Sequence, residues 1–141
     1  MLLDGIISHK AGAFAECFKN ITSTESYFAE HFPRRHVVPG VVILTMVADT
    51  CEYLLKDDAE ALGQERRLMF KRLVNGRFRK MVEPGDQCVM KAKVKQLERQ
   101  GDGGTMTATV AVYANDNRVA QVDLAFDIVA SRRQVGYVQA V

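Results

Sequence analysis

The chain has 141 residues, of which 48% are hydrophobic and 26% are charged, and its formal net charge is +2. This composition is typical of a single globular domain with its own hydrophobic core, and it excludes an intrinsically disordered chain. The near balance of charge also argues against a nucleic-acid-binding protein, which normally carries a strongly basic surface.

The cysteine count and the first residues indicate a cellular compartment. Three cysteines without close spacing argue against a disulfide scaffold or a zinc ribbon, so we expect a reducing, cytoplasmic location. Asp4 and the lack of an early basic segment argue against a signal peptide. The apolar run at residues 37–44 is too short to span a membrane, so we expect no membrane association.

The first half of the chain is expected to contain one strand and one long helix. Residues 13–21 have a strand-like pattern, and a helix is predicted from Pro39 and Gly40 to about Lys56. This helix is apolar almost all round, which predicts that it is buried. Its polar residues fall on one line, and they are Thr45, Asp49, Glu52 and Lys56.

The second half of the chain is predicted to be a sheet. A basic segment, residues 66–80, is expected to form a strand interrupted at Asn75 and Gly76, and a turn follows at residues 83–86. Apolar and polar residues then alternate in three segments, which predicts a three-stranded antiparallel meander with a hairpin turn at its second connection. The three segments are residues 88–97, 105–113 and 119–128, and the turn is at residues 115–117.

A long apolar helix together with antiparallel strands predicts an α+β fold, in which one sheet wraps around one central helix. We expect a single domain over residues 1–130, followed by a C-terminal tail at residues 131–141.

Two short segments are candidates for catalysis. His31-Phe32-Pro33 lies shortly before Pro39-Gly40, where the helix is predicted to begin. Glycine lets a ligand approach the backbone, and an N–H at a helix N-terminus can stabilise developing negative charge on a carbonyl oxygen. A histidine beside it can remove a proton. A base and an oxyanion donor are the minimum needed to abstract a proton next to a carbonyl.

Residues 28–50, FAEHFPRRHVVPGVVILTMVADT, resemble the active-site segment of the 3-hydroxyacyl-acyl carrier protein dehydratases of the FabA/FabZ type. Residues 78–86, FRKMVEPGD, are similar to a second motif of that family. The resemblance implies a hot-dog fold, a homodimer and a lyase that dehydrates 3-hydroxyacyl thioesters to trans-2-enoyl thioesters in fatty-acid or polyketide-type biosynthesis. It implies no cofactor.

The resemblance also implies roles for single residues. His31 is expected to be the catalytic base, and the Gly40 N–H to bind the thioester carbonyl. The family has a carboxylate where this chain has Thr45, so the acid that acts on the departing hydroxyl is missing there. Asp49 lies about 6 Å further along the same helix face and is the alternative, acting through a water molecule. The acyl chain is expected to contact Phe32, Pro39, Val41 and Phe78.

Basic residues suggest where a partner binds. Acyl carrier protein is acidic, and positive charge near the site would speed its encounter, although lysine and arginine also simply protect sheet edges. The substrate is expected to be carried on acyl carrier protein or coenzyme A. The residues expected to bind the carrier are Arg34, Arg35, Arg77, Arg79 and Lys80.

Two other functions remain open at this point. A weakened hot-dog subunit would bind acyl thioesters or pair with an active homologue that supplies the carboxylate. A hot-dog thioesterase would use Asp49 to activate water. A metal site is not expected, because His31 and His36 have no matching third ligand.

Overall fold

The computed structural model describes residues 3–22, 24–25, 38–55, 65–101 and 103–131. These residues form six strands and one helix, which agrees with the predicted α+β class. In chain order the elements are β1 (Gly5–Lys10), β2 (Phe14–Asn20), α1 (Gly40–Glu52), β3 (Glu65–Phe78), β4 (Gln87–Gln100), β5 (Gly103–Ala114) and β6 (Asn117–Ser131).

The six strands form one antiparallel sheet with the order β1-β2-β4-β5-β6-β3. The predicted meander of β4, β5 and β6 is confirmed, since each strand pairs with the next. The predicted strand at residues 13–21 is β2, and it pairs with β4, the first strand of the meander. Strand β3 crosses to the far edge beside β6.

The core lies between the helix and one face of the sheet, which we call the inner face. Alternate residues of the meander point into it, as the sequence pattern predicts. For example, Ala92 pairs with Val110, and Val110 with Val122, and all three are at most 1% exposed. In the described parts of the chain, no helix is long and apolar enough to cross a membrane.

Two expectations about the helix are corrected. It ends at Glu52 and not near Lys56, because the chain tightens into a turn in which the Tyr53 and Leu54 N–H groups donate to the Thr50 and Cys51 carbonyls at 3.1 and 3.0 Å. Lys56 itself is outside the described residues. Nor is the helix buried all round, because a single sheet covers only one side of it. The buried residues are Ile43, Met46, Val47, Thr50 and Cys51.

Strand β3 also differs from the expectation. It runs without a break through Asn75 and Gly76, which pair with Asp123 and Val122, so the predicted interruption is wrong. The register instead shifts twice earlier in the strand, between residues 70 and 72 and between residues 73 and 75. At such a bulge one strand carries an extra residue that is left unpaired, and the pairing resumes on either side.

The predicted turns are confirmed, and one strand was not expected. Asn115 and Asp116 have φ values of 52° and 70°, the left-handed pair of a tight hairpin, and Gly85 has a φ of 95° in the turn before β4. Strand β1 was not predicted, because a register shift between Ile6 and Ser8 interrupts the alternation of its side chains.

Candidate active site

The first turn of α1 offers unpaired backbone amides. Pro39 is the N-cap, and its carbonyl accepts hydrogen bonds from the Val42 and Ile43 N–H groups at 3.0 and 3.2 Å. The N–H groups of Gly40 and Val41 come before these, where helices leave amides without internal partners. Within the described parts of the chain, no side chain caps this end, and the first turn holds no acidic residue. The partial positive charge of the helix end is therefore available to a ligand.

The space beside Gly40 is open. A Cβ atom built on this residue would find no heavy atom within 4 Å among the described residues, and Gly40 is exposed. The glycine is thus not required by packing against a neighbour. With no Cβ atom at this position, a ligand can approach the backbone closely, which is the property predicted for this glycine.

The helix start is fixed by a contact with the segment after β3. The Val38 N–H donates to the Val82 carbonyl at 2.7 Å, and both side chains are buried. This bond joins the chain two residues before Gly40 to the second motif, residues 78–86. Sequence reasoning missed it, because a backbone hydrogen bond leaves no side-chain pattern.

Glu25, the last residue described before the histidine segment, is held to β2. Lys19 of β2 forms an ion pair with Glu25 at 3.3 Å and one with Asp4 at 3.4 Å. Burial lowers the pKa of Lys19, but its hydrogen bonds and charge contacts with Glu25 and Asp4 raise it by more. His31 follows six residues after Glu25 and lies outside the described residues, as do Phe32, Arg34, Arg35 and His36.

Thr45 is exposed on the open side of the helix. Its hydroxyl donates a hydrogen bond of 2.9 Å to the Val41 carbonyl, so its proton is already engaged by the backbone. A threonine hydroxyl is a far weaker acid than a carboxyl group in any case. The structure therefore shows no acid at this position.

Asp49 is half-buried one turn further along the helix. Its charge affects the nearby thiol of Cys17. Burial raises the pKa of that thiol, and the Asp49 charge raises it further, whereas a hydrogen bond with Thr50 lowers it. Thr50 in turn donates to the Met46 carbonyl at 2.8 Å. Asp49 therefore sits between the open face of the helix and the core.

Glu52 contributes to the packing of the helix against β3. It is half-buried, and its carboxylate accepts a hydrogen bond of 3.4 Å from the Leu68 N–H of β3. This contact ties the end of the helix to the sheet edge, a role that residue spacing did not indicate.

Exposed apolar side chains lie along β3 and at the helix start. Val41 is 67% exposed and Phe78 44% exposed, whereas Pro39 is half-buried. Phe70 contacts Phe126 edge-on, with ring centroids 6.1 Å apart. Such a long apolar edge is unusual for a surface that meets only water. The exposed apolar residues of this region are Val41, Met69, Phe70, Leu73, Val74, Phe78 and Met81.

The described basic residues at the end of β3 are exposed. Arg77 lies in the strand, and Arg79 and Lys80 follow it, with the Arg79 N–H bonded to the Val119 carbonyl at 2.7 Å.

Residues 38–55 and 65–101, with the other described ranges, hold no cluster of three metal-ligating side chains. The three cysteines are buried thiols.

The family is decided by comparison with known proteins. The model of the FabA-like domain matches residues 1–123. The chain belongs to the FabA-like family. A 3-hydroxyacyl-[acyl-carrier-protein] dehydratase FabZ of Alkalilimnicola ehrlichii is 36% identical over 100 residues, covering 70% of this chain and 64% of that protein. The FabZ of Geobacillus thermodenitrificans is 33% identical over 126 residues, covering 89% and 83%. The predicted family is confirmed, and these relatives support dehydration as the reaction class.

Solved structures confirm the predicted hot-dog fold. A chain of the dehydratase heterocomplex ApeI:P from Xenorhabdus doucetiae superposes with a TM-score of 0.63 at 18% identity, covering 86% of this chain and 95% of that one. A Streptococcus mutans UA159 protein bound to acetyl CoA superposes with a TM-score of 0.65 at 13% identity, covering 92% and 90%. At these identities the likeness concerns the fold alone.

Proposed function

We propose that this chain catalyses the reversible dehydration of a 3-hydroxyacyl thioester to a trans-2-enoyl thioester in the cytoplasm. The single observation that carries the proposal is the helix start at Gly40, which no described side chain caps and where no described heavy atom lies within 4 Å of the position that a Cβ atom would take. The FabZ relatives act, by their names, on substrates bound to acyl carrier protein, and we assign the same carrier or coenzyme A to this chain.

Removal of the α-proton needs a base and a group that stabilises the negative charge that forms on the carbonyl oxygen. His31 takes the proton from the carbon next to the thioester carbonyl, and the electron pair moves toward the carbonyl oxygen. The Gly40 N–H then donates to that oxygen, with the helix end adding positive charge. The interaction strengthens as the oxygen gains charge, which is the condition for lowering the barrier.

Loss of the hydroxyl group from the neighbouring carbon completes the reaction. The electron pair returns from the oxygen to form the double bond, and the hydroxyl leaves with a proton as water. Asp49 supplies or relays that proton through a water molecule, because the Thr45 proton is held by the Val41 carbonyl. A positioned acid contributes about 10²–10⁴ in rate, so a relayed proton implies a slower enzyme.

The apolar surface of β3 suggests where the acyl chain and a second subunit bind. Strand β3 lies at the edge of the sheet, is 14 residues long and exposes several apolar side chains. A long apolar edge is a template for pairing with another chain. We assign this edge to a homodimer contact, with the acyl chain running between Phe32, Pro39, Val41 and Phe78.

The carrier would dock on the basic residues beside this edge. Arg77, Arg79 and Lys80 are exposed, and Arg34 and Arg35 flank the histidine segment in sequence. Complementary charge chiefly accelerates the encounter with an acidic carrier protein.

A second candidate function rests on Thr45. If a partner hot-dog subunit supplies a carboxylate, this chain works as half of a mixed complex. The exposed hydroxyl of Thr45 supports this reading, since it cannot act as the acid. A fold neighbour of this chain is named as a dehydratase heterocomplex.

Ultraviolet absorbance of the enoyl thioester tests the proposal directly. Purified chain added to a trans-2-enoyl thioester should remove that absorbance as the double bond is hydrated, with no release of free thiol. Thiol release without hydration would identify a thioesterase instead. Absence of both reactions in the homomer, and hydration only after mixing with an active homologue, would favour the second candidate.

A further inference from the structure

The segment that contains His31 lies between β2 and α1, at residues 21–39, and we call it the β2–α1 segment. Its first residue is bonded to the turn before β4. The Ile21 N–H donates to the Asp86 carbonyl, and the Gly85 N–H donates to the Ile21 carbonyl, both at 2.9 Å. The Ile21 side chain is buried. This reciprocal pair of bonds fixes the point at which the chain leaves β2.

The other end of the β2–α1 segment is bonded to the same turn. The Val38 N–H donates to the Val82 carbonyl at 2.7 Å, two residues before α1 begins at Gly40. Fixing both ends of a connecting segment reduces its conformational freedom. The geometry of the turn at residues 82–86 therefore determines where this segment begins and where it ends.

The Asp86 carboxylate holds that turn in place. Its Oδ2 atom accepts a hydrogen bond of 2.9 Å from the Glu83 N–H, and the Asp86 N–H donates to the Glu83 carbonyl at 3.1 Å. Its Oδ1 atom accepts a hydrogen bond of 2.8 Å from Nδ2 of Asn115, in the hairpin between β5 and β6. Hydrogen bonds to an ionised carboxylate are stronger than those between neutral groups. The carboxylate thus shapes the turn and joins it to the sheet.

Asn115 is itself fixed by two bonds to Gln87, the first residue of β4. The Asn115 Oδ1 atom accepts from the Gln87 N–H at 3.0 Å, and the Asn115 N–H donates to the Gln87 carbonyl at 3.1 Å. The Asn115 φ of 52° is left-handed, a conformation that asparagine and aspartate adopt more readily than most residues with a side chain. These bonds aim the Nδ2 group of Asn115 at Asp86.

We propose that Asp86, held by Asn115, is a positioning residue for dehydration. It fixes the turn, and the turn fixes both ends of the segment that connects His31 to the Gly40 N–H. This inference deepens the proposed function and rests on it, since that function makes His31 the base. Asp86 transfers no proton in this role. A misplacement of about 1 Å can cost a reacting group about 100-fold in rate, so a displaced turn should lower kcat.

Exchanging the two side chains tests the proposal. Asp86→Asn keeps only one of two acceptors, so an NH₂ group meets a second donor. Asn115→Asp places two carboxylates in contact where the 2.8 Å bond was. The double variant restores every bond, because the amide at position 86 accepts from the Glu83 N–H and donates to the carboxylate at position 115. That carboxylate still accepts from the Gln87 N–H, and the net charge equals that of the wild type.

Steady-state hydration of a trans-2-enoyl thioester measures the result, at a temperature at which urea unfolding shows every variant folded. We expect each single variant to lower kcat about tenfold and to change KM less than about twofold, because the reacting groups are displaced while the substrate contacts remain. The double variant should recover kcat to within about threefold of the wild type. A double variant as slow as the slower single variant, or single variants with wild-type kcat, would overturn the proposal.

Asp123→Ala is the matched control for Asp86→Ala. Asp123 is also a half-buried aspartate, and its Oδ2 atom lies 3.9 Å from the Lys95 ammonium. It follows the buried Val122 and precedes the buried Leu124 in β6, so it faces away from the helix. Asp86→Ala should lower kcat at least about tenfold, whereas Asp123→Ala should keep kcat within about twofold. Equal losses would show that Asp86 contributes only general stability, and the positioning role would be wrong.

Hydrogen exchange of two backbone amides tests the same role without substrate. The Ile21 and Val38 N–H groups donate to the turn, so Asp86→Ala should speed the exchange of both about tenfold, relative to the Val110 amide in the centre of the sheet. Unchanged exchange of both amides would overturn the proposal. A wild-type chain that hydrates no enoyl thioester refutes the proposed function, whereas an active wild type matched by an equally active Asp86→Ala refutes the positioning role alone.

Discussion

The backbone N–H of Val38 donates a 2.7 Å hydrogen bond to the carbonyl oxygen of Val82, and both side chains are buried. Val38 is two residues before Gly40, and Val82 lies within the second motif. The two motifs that carry the family resemblance are therefore joined in space by this bond. It fixes the chain that leads into the helix, and so it positions the Gly40 amide.

Val82→Ala should test this connection. Val82 is 0% exposed, so removing its methyl groups leaves a cavity and is expected to lower the free energy of unfolding by about 2 kcal/mol. It should also reduce kcat for dehydration at a temperature where the protein stays folded, because small displacements of a reacting group are costly. Urea unfolding and the absorbance assay measure the two effects.

Ile7→Ala is the control for Val82→Ala. Ile7 is 54% exposed in β1, at the opposite edge of the sheet from β3, so its truncation should change the free energy of unfolding by no more than about 0.5 kcal/mol. Equal losses of stability and of kcat in the two variants would contradict the role given to the Val38–Val82 connection.

Thr45→Glu should raise the dehydration rate of the homomer. The position is exposed, so a longer side chain fits, and the carboxyl group would supply the acid that the threonine cannot. General acid catalysis is worth about 10²–10⁴ in rate, and we expect a gain toward the lower end of that range. Steady-state hydration of an enoyl thioester measures it.

Two further variants interpret the Thr45→Glu result. Thr45→Val keeps the shape of the side chain without its hydroxyl and should leave the rate nearly unchanged. Asp49→Asn should lower the rate of the otherwise wild-type protein, and it should have a smaller effect when it is combined with Thr45→Glu. A Thr45→Glu protein no faster than wild type would show that acid supply does not limit this enzyme.

Stability should fall as the pH rises above about 9, owing to the buried thiols. Burial, aided by the charge of Asp86, raises the pKa of Cys88 from 9.0 to about 12, and burial also raises the pKa of Cys17 and Cys51. Above pH 9.0 the unfolded thiol loses its proton while the folded one keeps it. The unfolded state is thereby favoured, by at most about 1.4 kcal/mol per pH unit for each thiol.

Urea unfolding in the presence of a reductant, from about pH 7 to about pH 10.5, measures this slope. Cys88→Ala removes one buried thiol and should make the slope shallower, even though it also costs some packing energy at neutral pH. A slope that is identical in the variant and the wild type would contradict the assignment to Cys88.

Periodic side-chain patterns predicted the strands of the meander correctly, whereas features that depend on backbone hydrogen bonds could not be predicted from the sequence. The strict alternation of β4, β5 and β6 places Ala92, Val110 and Val122 on one face, and this alone predicted the meander. The end of the helix could not be predicted, because Tyr53 and Leu54 continue its apolar pattern while their backbone forms a turn.

The candidate site also combines features that the sequence predicts with features that it does not. Pro39 and Gly40 could be placed at the start of the helix because proline and glycine have strong positional preferences there. The exposure of Val41 could not be predicted, since it depends on how much of the helix one sheet can cover. Pairing of Asn75 with Asp123 was equally hidden, as it follows from two bulges in β3 that no local pattern indicates.

The most direct test of the proposed mechanism is the rate of enoyl thioester hydration by His31→Ala, measured beside His36→Ala. We expect His31→Ala to lose about 10²–10⁴ in kcat, as the loss of a general base would cause, with the substrate still bound. The matched variant His36→Ala should keep nearly the full rate. Hydration by His31→Ala at the wild-type rate would contradict the mechanism.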